Sequence, residues 1–77
     1  MEKPSMEIMH QLAHHIVWAW DKDPARVLRF FRDYKIRFGE ESLADLLKIV
    51  FDVGGAPLRR EIFKWVITIY ELDGDFE

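Results

Sequence analysis

Asp23-Pro24-Ala25-Arg26-Val27-Leu28-Arg29-Phe30-Phe31-Arg32-Asp33-Tyr34-Lys35-Ile36-Arg37-Phe38-Gly39 is the stretch on which the fold turns. It opens with a helix start. The aspartate side chain can accept hydrogen bonds from the free amides of a first turn, and the proline that follows has a fixed φ suited to the first helical position. Val27, Phe30, Phe31, Tyr34 and Phe38 then recur at the three- and four-residue intervals that place side chains on one helix face. Gly39 ends the pattern.

The same punctuation divides the rest of the chain. Before it, Ser5 is placed to cap a first helix, with Glu7 near that helix's positive end. Met9, Leu12, Ala13, Ile16 and Trp20 supply its inner face. After it, Ser42 and Asp45 resemble a capping box. Leu43, Leu46, Leu47 and Val50 face inward, and Gly54-Gly55 closes the segment. Ala56-Pro57 opens a last stretch in which Leu58, Ile62, Trp65, Val66, Ile69 and Leu72 share a face, with Gly74 just beyond it. The β-branched run Val66-Ile67-Thr68-Ile69 sits inside that helical period and so does not read as a strand. The sequence therefore predicts an all-α chain, a compact bundle or orthogonal array of four short helices at approximately 5–20, 24–38, 41–53 and 57–72. These form a single domain over 1–77, with a short N-terminal extension and an acidic tail at 73–77.

Composition narrows the function classes. Hydrophobic residues make up 49% of the 77, enough for a core, and there is no cysteine to supply a disulfide or a cysteine-based zinc site. The longest unbroken apolar run, Ile16 to Trp20, is far short of the roughly 20 residues that span a bilayer. Neither a membrane span nor an export signal is expected, which makes the cytoplasm the expected location. Gly54-Gly55 lacks the spacing of a phosphate-cradling loop. Ser5 and Ser42 read as helix caps rather than nucleophiles. The expectation is a chain without cofactor and without enzymatic activity.

Charge is unevenly placed. The formal net charge is −3, yet residues 24–38 hold Arg26, Arg29, Arg32, Lys35 and Arg37 against a single acid, Asp33. At about 100° per residue, Arg29, Arg32 and Ile36 lie opposite the Val27/Phe31/Tyr34 stripe, with Arg26 alongside. This outward basic ridge is either a solvated face or a docking surface for an acidic partner. A second basic group, Arg59, Arg60 and Lys64, opens the fourth helix. Cations oppose the macrodipole there, and Asp52, across the Gly54-Gly55 turn, is placed to offset them. The alternative is a helix-turn-helix that reads nucleic acid through Arg59, Arg60 and Lys64, or through the helix-two arginines.

Glu7, His10 and His14 fall on one flank of the first helix, and two histidines four apart can chelate a divalent ion. No second ligand pair accompanies them, and solvated histidines are the plainer reading. Trp18 carries more information. On the wheel it points with Glu7, Gln11 and His14, opposite the inner face, and Ile36 repeats the pattern among the arginines. Tryptophan and arginine are enriched where proteins bind one another. Unless another helix or Phe76 covers Trp18, it belongs to a contact patch with Ile36 or with the Phe63/Ile67/Tyr70 flank. The function expected from these residues is a non-enzymatic protein–protein interaction module. Trp18, Arg26, Arg29, Arg32 and Ile36 are the partner-binding residues, and the partner is another protein, a second copy of the chain, or both.

Overall fold

In the computed structural model the described residues are 4–65. They form three helices: α1 over Met6–Lys22, α2 over Pro24–Phe38 and α3 over Glu40–Phe63. No strand occurs among them. The all-α class holds, and the third and fourth expected helices follow one another without a loop within α3, separated only by a break at Gly55, where φ 82° and ψ −179° leave helical geometry. A one-residue break suffices because glycine alone enters that region readily. Pro57, which cannot donate an interior helical bond, sits two residues beyond the break as part of a fresh first turn. Gly54 is required for a different reason. A Cβ there would overlap the Leu58 side chain, whose own Cβ would lie only 2.9 Å away.

The links between helices are single residues. Asp23 closes α1 by donating its N–H to the Ala19 carbonyl, and opens α2 by accepting from the Arg26 amide at 3.2 Å. Gly39, at φ 95°, does the same between α2 and α3 without any side chain. At the other end of α1, Ser5 Oγ accepts from the Ile8 amide at 3.3 Å, so Ser5 is the cap its position predicts.

The expected cap at Ser42 is displaced. Because Gly39 turns the chain sharply, α3 begins at Glu40, and the two glutamates of its first turn offset the helix dipole. Ser42 is thereby carried inside. It is buried, and its Oγ lies 2.8 Å from the Tyr34 hydroxyl across the α2–α3 seam.

The core joins all three helices. Met9, Ala13, Ile16 and Trp20 of α1 pack with Val27, Phe31 and Tyr34 of α2 and with Leu43, Leu46, Leu47, Ile49, Val50 and Ile62 of α3. The most extensive helix pairing is α1 on α3. Leu12, Phe30, Phe38 and Leu58, expected inside, are half-buried at its margin. Phe30, Tyr34 and Phe38 line one side of α2, with the Tyr34–Phe38 ring centroids 4.7 Å apart. Trp65, placed on the inner face of the fourth helix by its spacing, is exposed. Val66, Ile67, Ile69, Tyr70, Leu72, Gly74, Phe76 and the acidic tail lie outside the described residues. No described helix is long and apolar enough to cross a membrane.

Candidate functional site

The α1–α2 corner is tight because one residue, Asp23, serves as both caps. It brings the last two turns of α1 against the first turn of α2. The result is a cleft of about 380 Å³ walled by His15, Trp18, Ala19, Lys22, Asp23 and Arg26. Trp18 dominates it. The core of α1 faces the opposite way, so the indole projects outward with 59% of its surface exposed. The His15 ring lies 5.8 Å from it, centroid to centroid, and Lys22 Nζ sits 4.9 Å from the ring centre on the same flank of the helix. A cation within about 6 Å of an indole face is held by the ring quadrupole. The three residues make a pre-arranged aromatic and cationic wall. Arg26 adds a second cation from α2. Among the described residues Asp23 is the only acid in the cleft, and its carboxylate is turned to the Arg26 backbone amide.

The outward ridge of α2 is narrower than its wheel implies. Arg26 and Arg29 are exposed, and Ile36 is exposed over 64% of its surface. Arg32, expected beside them, is half-buried. It contacts Asp33 at 3.4 Å, and its Nε is shielded from solvent without a hydrogen-bond partner. Lys35 is buried, with Nζ 3.9 Å from Glu40 across the Gly39 link. Ile36 follows Arg26 by ten residues, roughly 15 Å along a helix, and is not among the walls of the Trp18 cleft.

The second basic group is dispersed. Arg59 lies over the Phe63 ring at 5.9 Å, and Phe63 stacks on Phe51 at 5.3 Å. Asp52 and Arg59 share the walls of a shallow cleft with Lys48 and Phe51. Lys64 contacts Glu61 at 3.4 Å, and Arg60 is exposed. A helix-turn-helix has a turn of three to four residues between its helices. Here the single residue Gly55 takes that place.

Glu7, His10 and His14 do not converge. Among the described residues no group of three or more His, Cys, Asp or Glu side chains is placed to hold a metal ion. His10 instead turns Nδ1 back to the Met6 carbonyl at 3.0 Å, one helical turn earlier.

A further cleft lies on the other flank of α1. About 390 Å³ in volume, it is walled by Val17, Trp20 and Asp21 of α1 and by Gly54, Pro57, Leu58 and Glu61 of the bent α3. Among the described residues its charged walls are the acids Asp21 and Glu61. Sequence patterning does not reveal this feature, because it exists only once α3 bends at Gly55 and lays Pro57 and Glu61 beside Asp21. Lys22 and His15 beside Trp18 are not among the expected partner-binding residues, although their four- and three-residue spacings from the indole are the signal that places them on its flank.

No protein-family model matches this chain, and searches of curated proteins and of solved structures return no significant match.

Proposed function

We propose that this chain is a protein-interaction module that receives an acidic partner surface, with an apolar anchor, at the α1–α2 corner. The observation that carries this reading is Trp18, an exposed indole set between His15 and Lys22 and facing Arg26 across a cleft. A large apolar side chain held in water at a polar helix face gains most when a partner covers it. Exclusion of about 150–250 Å² per aromatic side chain is typical of binding anchors. Lys22 and Arg26 would steer an acidic surface toward the indole, and Arg29 extends the positive field along α2. Their main effect falls on association rate and its salt dependence, while Trp18 governs how long the complex lasts.

The test is capture of partners on immobilised chain, with nuclease treatment in parallel, comparing wild type with Trp18→Ala and with Arg26→Glu. A protein retained by wild type after nuclease and lost by both variants fits the reading. Recovery that collapses with nuclease moves the function to nucleic acid at the basic ridge. Partners retained equally by all three proteins remove the corner as the site.

A further inference from the structure

We infer that the acidic surface received at the Trp18 corner belongs to a second copy of this chain, in an isologous dimer. The inference rests on reading that corner as a docking site. Two clefts flank the C-terminal half of α1, and they are opposite in character. One carries Trp18 with the cations Lys22 and Arg26 and a single acid, Asp23, whose carboxylate accepts from the Arg26 amide. The other is floored by Val17, Trp20, Pro57 and Leu58, and among the described residues its charged walls are Asp21 and Glu61. Glu61 is also in contact with Lys64 at 3.4 Å, which leaves Asp21 as the stronger part of the negative rim. The first has an exposed aromatic knob with a positive rim; the second is an apolar hollow with a negative rim. Each copy therefore carries both halves of a complementary pair.

Placement favours a two-fold arrangement. Trp18 and Asp21 are three residues apart on one helix, so knob and acidic rim are neighbours on the outer face of α1. A two-fold axis passing between them presents the Trp18 of each copy to the Val17/Trp20/Leu58 hollow of the other. The same operation sets Lys22 and Arg26 against the other copy's Asp21 and Glu61. An isologous interface makes each such contact twice and then closes. With two indoles as the main anchors, the buried area falls at the small end of specific interfaces, below about 1,200 Å², so a weak and salt-sensitive dimer is expected.

The experiment is sedimentation of the full chain, at low salt, over a concentration series reaching about 100 µM, a range that registers micromolar association. Two charge-reversed variants accompany wild type: Lys22→Glu/Arg26→Glu, with both clefts acidic, and Asp21→Lys/Glu61→Lys, with both clefts basic. Wild type is expected to dimerise, and each variant alone to associate at least tenfold more weakly because its like-charged clefts repel. An equimolar mixture of the two variants is expected to recover association. Circular dichroism checks that both fold, and the milder Asp21→Asn/Glu61→Gln replaces the lysine pair if that variant does not. The neutralised variant is expected to dimerise more weakly than wild type. A monomeric wild type, a variant that dimerises as wild type does, or a mixture that stays monomeric overturns the dimer. A monomeric wild type that still captures a protein in a Trp18-dependent way overturns the dimer alone and leaves the docking corner standing. A dimer indifferent to Trp18→Ala overturns it as well.

Discussion

Tyr34 Oη and Ser42 Oγ lie 2.8 Å apart, both buried, in the seam where α2 meets α3. The pair spans the Gly39 link and ties the middle of one helix to the first turn of the next. Loss of one hydroxyl leaves the other buried with one partner fewer, a change that costs about 1–3 kcal/mol where no other group substitutes. Tyr34→Phe and Ser42→Ala are each expected to lower stability in urea titration by about 1 kcal/mol or more. The double variant is expected to lose less than the sum, because the second substitution removes an already orphaned group. Additive losses would show that the two hydroxyls do not act as a pair.

The helices were readable from the sequence to a degree that this bond makes concrete. Asp23-Pro24 and Gly39 delimit α2 because cap chemistry and backbone restriction act within a few residues, and their signal is local. Ser42 was misread for the same reason. Serine three residues before an acid has the local form of a cap, and only the sharp turn at Gly39, which starts α3 two residues earlier, carries it into the seam. Trp18 was legible because helical period alone sets it opposite Ala13 and Ile16. The acidic cleft was not, since it depends on the direction α3 takes after Gly55, a tertiary outcome with no short-range pattern.

Backbone conformation at the glycines gives a second expectation. Gly39 has φ 95° and ψ 166°, and a Cβ there would meet no atom within 4 Å, so strain rather than crowding opposes a side chain. Gly39→Ala is expected to destabilise by about 1–3 kcal/mol, the range for non-glycine residues in such regions. Chemical synthesis of this short chain with D-alanine at position 39 is expected to recover most of that loss, because positive φ is ordinary for the mirror-image residue. At Gly54 the opposing term is contact with Leu58, so Gly54→Ala is expected to be relieved in part by Leu58→Ala. Thermal melts of the four proteins distinguish strain from overlap.

Two tryptophans two residues apart should behave oppositely. Trp20 is 7% exposed within the core, and truncation of a buried aromatic to alanine costs about 3–5 kcal/mol. Trp20→Ala is therefore expected to unfold much of the population of a chain this small. Trp18→Ala removes a side chain that is mostly in water, and its effect on stability is expected to stay within about 1 kcal/mol. Denaturant midpoints read the contrast directly. A large loss on Trp18→Ala would place that indole in the core and withdraw it as a docking anchor.

Asp23 permits a test that separates capping from electrostatics at the docking corner. Its side chain caps α2 through the Arg26 amide, and among the described residues it is the one acid in the Trp18 cleft. Asparagine caps helices about as well as aspartate, whereas alanine at such a position costs about 0.5–2 kcal/mol. Asp23→Asn is thus expected to leave the melting temperature nearly unchanged and to make the cleft more positive. If an acidic surface docks there, the variant should bind it faster and more tightly, with the advantage shrinking as salt is added. Asp23→Ala should lose stability while gaining the same electrostatic advantage. Binding that weakens in both variants would mean that the Asp23 carboxylate itself contacts the partner, and that the corner favours a cationic rather than an acidic surface.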